Sequence, residues 1–344
     1  MVTPVGMNGA QTSASVRTGI TRMREAEDIY HCLADDPDFE DPTPLIASTL
    51  SYLEHERRDK TPAQWLAHIA AHAFRDLQNS VALTRSDYRQ TGLFMALPST
   101  RPQWGDADED QFVYHFHNSI EKDVFPIEEF AYKGHAGALA LYASAWRQLA
   151  EGQIKYALLA GVDSYLFAHW LEWLDHDYRI KSDRNPDGFI PGEGAAFVLL
   201  EPAGQAEKNP RRTLARVANV KGAQCPPNEL GHNTGTVLSR LLTDMLDSAS
   251  EAPIIVCDLN GEPARMKEWG YTVVRLGAKL GAAPVIIHPA DCLGDLGAAS
   301  GPVHIGLAIH CLERQYAGHA SALVWSASDS GERMAMLIER ALKA

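Results

Sequence analysis

The sequence predicts a globular α/β protein, with a mostly parallel sheet and helices on its faces, and three observations carry that reading. Strand-like runs alternate with helix-like runs along most of the 344 residues. A composition of 45% apolar and 22% charged residues supplies ample material for a buried core. The polar stretch "AGQAEKNPRR" (203–212) separates two portions that each contain a strand, a glycine-rich turn and a helix. Two similar halves, 1–205 and 206–344, packed into one body are therefore expected, without any repeat of shorter period.

Helical periodicity opens at 9–27 and returns at 61–80. The acidic blocks "DDPDFED" (35–41) and "DADED" (106–110) read as solvated loops, because like charges repel in sequence. "GLFMALP" (92–98) reads as a strand. "YHFHNS" (114–119) places His115 and His117 on one side of an extended chain or well apart on a helix. Spacing indicates no third ligand, so a surface or interface role is expected and no metal ion. A tight turn carrying His135 feeds a helix over 136–151, followed by a strand over 155–166. Trp170 and Trp173 stand at helical i, i+3 spacing and are read as core or subunit interface.

Further strands are expected at 195–202, 212–222, 253–261 and 321–329, and further helices at 235–249, 302–316 and 332–343. "GEGAA" (192–196) and "GDLGAASG" (294–301) fit neither spacing of the phosphate-binding glycine motifs. Close backbone packing is their expected use, and no cofactor is expected.

The formal charge of −13 argues against nucleic acid and anionic membranes as partners. The start of the chain lacks the pattern of a signal peptide, and no apolar run approaches a membrane span. Cys32, Cys225, Cys257, Cys292 and Cys311 are scattered without a CxxC pair, which suits a reduced, cytoplasmic setting without disulfides or a zinc centre.

Several stretches together resemble the thiolase-like superfamily and, within it, the β-ketoacyl synthases. They are "TPVG" (3–6) with "RTGITRM" (17–23), "EGQIKYALLAGVDSYL" (151–166), "YRIKSDRNPDGFIPGEGAAFVLLE" (178–201), "CDLNGEPARMKEW" (257–269), "CLGDLGAASG" (292–301) and "VWSASDSGERMAML" (324–337). The resemblance spans nearly the whole chain, and its block at 178–201 is specific. It implies a five-layered αβαβα body of two similar halves. It also implies a cysteine nucleophile at a helix N-terminus, where dipole and turn amides favour the thiolate, and two histidines that assist decarboxylation and stabilise an oxyanion. Aligned on this chain, the cysteine position falls on His135, the first histidine on Asn260 and the second on Asp295. "SASDSG" (326–331) stands in place of the glycine-rich gating stretch.

With all three chemical positions changed, the resemblance implies a non-catalytic β-ketoacyl synthase homologue in which His135 plugs a disused pocket. Such bacterial proteins act as partner subunits or as accessory or adaptor proteins, in biosynthetic clusters or beside secretion-effector genes. The partners implied are a second chain, identical or homologous, paired through the strand at 156–164, and an effector or an acyl carrier protein. The alternatives are a residual acyl-binding pocket, or an acyltransferase or hydrolase of acyl thioesters with an Asp-oriented His135 as base or nucleophile. The family's first strand precedes the turn at which this chain begins, so a gap, a substitute strand or disorder is expected around residues 1–8.

Overall fold

Why the strand-like runs carry apolar residues at consecutive positions becomes clear in a computed structural model describing residues 1–30, 44–81, 83–120, 125–182, 185–206, 212–230 and 234–341. Strands β1 (Met23–Tyr30) and β2 (Pro44–Ser48) form a separate antiparallel pair. The first main sheet holds β3 (Thr91–Ala96), β4 (Ile127–Ala131), β5 (Tyr156–Ser164) and β6 (Glu193–Leu200) in the order β4-β3-β5-β6. The second holds β7 (Ala215–Gln224), β8 (Ile254–Cys257), β9 (Ile286–Ile287), β10 (Ser321–Ala327) and β11 (Glu332–Arg340) in the order β7-β11-β10-β8-β9.

The pairing scheme is repeated. In the first sheet β3 runs parallel to β4 and β5, and β5 runs antiparallel to β6. In the second, β8 runs parallel to β9 and β10, and β10 runs antiparallel to β11. β7 is the extra strand, antiparallel to β11.

The helices that build the layers and the site are α1 (Gly9–Arg17), α2 (Glu54–Arg57), α3 (Pro62–Ser80), α4 (Asp106–Ser119), α5 (Gly137–Ala150), α6 (Ala168–His176), α7 (Thr236–Asp247), α8 (Pro263–Leu276) and α9 (Ser300–Glu313). The inner strands β3, β5, β8 and β10 are buried on both faces, which removes the polar-out alternation of a half-exposed sheet. On β3, Leu93 and Met95 face the core under α3 and α4, while Phe94 faces the core shared with α5, α9 and the second sheet. On β10, Ala322 and Val324 join that central core, while Leu323 and Trp325 pack under α7 and α8. The layers are thus α3/α4, first sheet, α5/α9, second sheet, α7/α8.

Several expectations change. The strand at 156–164 is internal: both edges of β5 are occupied, by β3 and by β6, so it cannot pair with a second chain. The end strands of that sheet are β4 and β6; β6 carries the isolated bridge to Val2, and among the described residues β4 has no strand neighbour except β3. Residues 332–340 form a strand, not a helix: Ala335 and Leu337 enter one core while Met336 and Ile338 enter the other. That two-sided burial outweighs the helix-forming preference of Met, Ala, Leu and Glu.

The helix expected over 9–27 ends at Arg17, before Gly19 in the left-handed region (φ +69°), and the chain is extended again from Met23. "DADED" is the first turn of α4, where acids complement the helix dipole, rather than a loop. "DDPDFED" lies outside the described residues. At the start of the chain there is no central strand. Val2 makes an isolated bridge to Ala195, and β3 pairs directly with β5.

Trp170 is fully buried and donates its indole N–H to Pro102 O (2.8 Å), while Trp173 is partly buried. Cys225, Cys257 and Cys292 are buried and Cys311 is half-buried; Cys32 lies outside the described residues. Among the described residues no helix is long and apolar enough to cross a membrane.

Candidate functional site

Both central helices begin the same way. A single 3-10 turn, Gly134–Ala136, leads into α5, and another, Gly297–Ala299, leads into α9. Each opens on a glycine in the left-handed region, Gly134 (φ +55°) and Gly297 (φ +51°), where a side chain is strained. At Gly297 a Cβ would also lie 2.1 Å from Asp163 Oδ2, so the turn is packed tightly against β5.

His135 occupies the first turn and is 5% exposed. Its Nε2 lies 2.7 Å from Asp295 Oδ1, and Asn260 Nδ2 donates to Asp295 Oδ2 at 2.5 Å. The three residues singled out in the sequence therefore meet, joined through one carboxylate. Asp295 Oδ1 also accepts from the Gly297 N–H (2.7 Å), so this turn orients the acid.

The dominant group in the site is Arg265 of α8. Its Nη1 donates to Asp258 Oδ2 (3.0 Å) and Ala327 O (2.7 Å), and its Nη2 donates to Asp329 Oδ1 (3.2 Å). The same Nη2 lies 3.2 Å from His135 Nδ1. Asp329 also pairs with Arg179 (3.0 Å), whose guanidinium grips Glu262 with two bonds of 2.7 and 3.0 Å. Asn260 ties in once more, donating to Glu262 Oε2 at 3.1 Å.

Burial disfavours charge throughout this network, and neighbours override it. The Asp295 carboxyl is held well below the usual carboxylate range by His135 and Arg265 despite its burial. Burial likewise opposes a charge on His135, and Arg265 repels one, but attraction to Asp295 wins and the imidazole titrates above its ordinary value. The dipole at a helix N-terminus alone would have worked the other way. With one proton His135 is fully bonded, Nε2–H donating to Asp295 and Nδ1 accepting from Arg265. His304 of α9 lies nearby, pushed down to about 3 by burial and by the proximity of His135.

Little space is left. A cavity of about 10 Å³ remains among His135, Asp258, Asn260, Asp295, Ser300 and His304, about the size of one water. The amides of the two turns are also occupied. Ala136 N–H donates to Ser328 Oγ (3.0 Å), and Ala298 N–H donates to Asp163 Oδ2 (2.9 Å). Asp163 is held in turn by Arg101 (2.6 Å).

Arg265, Arg179, Glu262 and His304 were not singled out in the sequence. Arg179 lies inside the 178–201 block and Arg265 follows Glu262 by one helical step, but neither pattern distinguishes a buried guanidinium from a solvated one. The other histidines stay apart from this site. On α4, His117 pairs with Glu128 of β4 (3.1 Å), and His115 is half-buried on the same helix.

No protein-family model matches the chain, and no curated protein sequence does. Solved structures do. One is a ketosynthase/chain length factor of ishigamide, 18% identical, with a TM-score of 0.71 over 98% of this chain and 97% of that one. Another is a type II polyketide acyl-carrier protein in complex with its ketosynthase bound to a hexaketide, 14% identical, with a TM-score of 0.78 over 99% and 97%. A third is a β-ketoacyl synthase from Burkholderia phymatum, 15% identical, with a TM-score of 0.71 over 99% and 97%. Over nearly its whole length the chain has the thiolase-like fold of the β-ketoacyl synthases.

Proposed function

We propose that the protein is a non-catalytic ketosynthase-fold subunit, a cytoplasmic partner or adaptor that uses the surface of the fold and not its pocket. One observation carries this. The place where His135, Asn260 and Asp295 meet is filled by a buried ionic network around Arg265, with about 10 Å³ to spare. Sites for small organic ligands run to about 300–1,000 Å³. An acyl chain would have to displace a guanidinium paired with buried carboxylates, and taking one partner out of such a pair costs about 3–5 kcal/mol.

In this reading His135, Asn260 and Asp295 stand at the positions of the family's cysteine and two histidines and serve as a plug. None of the three supplies a thiolate or an unpaired imidazole. The halves are 1–205 and 206–344, and pairing with a second chain, identical or homologous, runs through the outer edge of β4, an end strand among the described residues. An acyl carrier protein or a secreted effector is the class of further partner. The first is supported by the neighbour solved as a ketosynthase with its acyl-carrier protein.

The test is incubation with acyl-CoA and acyl-loaded carrier protein, followed by intact mass and thioester quantification. No adduct and no thioester loss are expected, and His135→Ala should retain the wild-type oligomeric mass. Thioester turnover that disappears in a folded His135→Ala protein would instead establish hydrolytic or acyl-transfer chemistry at His135.

A further inference from the structure

A second cluster of chemistry-bearing side chains lies on the outer helix layer, across the first sheet from α5. His68 and His72 stand at i, i+4 on α3 and therefore share one face of that helix, and Glu56 reaches them from α2. One ligand atom from each lies within 4.8 Å of the other two: a ring nitrogen from each histidine and a carboxylate oxygen from the glutamate. We infer that Glu56, His68 and His72 form a binding site for a divalent transition-metal ion of the zinc class.

The donor set fits such an ion. Two imidazoles and one carboxylate are borderline ligands that suit zinc, cobalt, nickel or copper, and not the all-oxygen shells of magnesium or calcium. Three protein ligands leave a fourth tetrahedral position for water, and the site is open enough to receive one, with side-chain exposures of 21% for His68 and 34% for Glu56. Zinc–nitrogen and zinc–oxygen bonds of about 2.0–2.1 Å place tetrahedral ligand atoms roughly 3.4 Å apart. Closing from 4.8 Å needs only movements on the scale of a side-chain rotation.

The site is also partly prearranged. His68 stacks on Trp65, with ring centroids 5.7 Å apart, and Trp65 is fully buried with its indole N–H on Glu193 (2.8 Å). Glu56 Oε2 already sits 2.9 Å from His68 Nε2, and the His68 and His72 rings meet edge to face at 4.7 Å. Two cations face the cluster: Lys60, which donates to the Glu56 carbonyl, and Arg75 beside His72. They weaken a dication's attraction, so the binding comes from the ligands themselves.

The experiment uses the full chain without an affinity tag, stripped with chelator and titrated with Co²⁺, then with Zn²⁺ in competition. The expected result is one Co²⁺ per chain with the visible d–d absorption of a four-coordinate site, displaced by Zn²⁺, and an upward shift in Tm on loading. His72→Ala and Glu56→Gln should each weaken binding by about tenfold or more, and His117→Ala should leave it unchanged. Circular dichroism reports whether each variant folds, and Glu56→Gln, at a part-exposed position, serves as the mildest. The inference is overturned if no stoichiometric Co²⁺ spectrum forms at micromolar protein, or if the spectrum survives in a folded His68→Ala/His72→Ala protein.

Discussion

His304 shows how one buried group can set the acid limit of the whole chain. In the unfolded chain its imidazole titrates near about 6.5, whereas in the fold it titrates at about 3. The folded state therefore excludes a proton that the unfolded state takes up, and stability falls as pH drops from about 6.5 toward 3, by at most about 1.4 kcal/mol per pH unit. His68, His72, His169 and His310 shift in the same direction from shallower positions. His135 shifts upward, so its contribution is complete below about 6.5 and is lost only as pH rises through its folded value. Urea midpoints measured from pH 7 to 4.5 should fall less steeply for His304→Met than for wild type; equal slopes would remove His304 from this role. At this scale the sequence disclosed the trio His135, Asn260 and Asp295, because family spacing located them. It did not disclose Arg265, whose carboxylate partner Asp329 comes from the turn between β10 and β11. Tertiary contact alone distinguishes that arginine from a solvated one.

Among the elements, β5 and the turn at Gly297–Ala299 form a junction between the two sheets' portions of the chain. A Cβ on Gly161 would lie 2.3 Å from Ala298 O, a backbone atom that cannot swing aside. Gly152 has φ +70° but open space around it. Gly152→Ala should therefore cost about 1 kcal/mol, the strain of a left-handed alanine, and Gly161→Ala about 3 kcal/mol or more from forced backbone displacement. Denaturant unfolding of the two variants measures the difference, and equal losses would show that the junction is slack. Strands buried on both faces explain what was legible here. β3, β5, β8 and β10 read correctly because their apolar runs are rich in strand-forming residues and flanked by turn signals. β11 did not, since "ERMAMLIER" has the composition of a helix and two-sided burial erases the alternation that would have corrected it.

For the molecule as a whole, the layer order was carried by the resemblance, whereas the strands that end the first sheet had to be seen. Leu97 N–H donates to Ala131 O (2.9 Å), so Ala131, Glu129 and Ile127 turn their backbone groups toward β3. Glu128 and Phe130 present theirs outward along an edge with no further strand among the described residues, which a second chain can cover. Light scattering at micromolar concentration should give a two-chain mass, and Glu128→Pro, which removes an outward N–H, should reduce it to one chain with the circular dichroism spectrum retained. A two-chain mass unaffected by that proline would place the interface elsewhere.

The second sheet has a further consequence for how the protein is made. Among the described residues, β7 has no strand neighbour except β11, yet residue 215 leaves the ribosome long before residue 332. Until then β7 lacks the one strand it pairs with among the described residues. β11 joins β7 to β10, so this sheet takes its full order only once residues 332–340 have been made, and the pairing that completes it is the one most distant in sequence from β7.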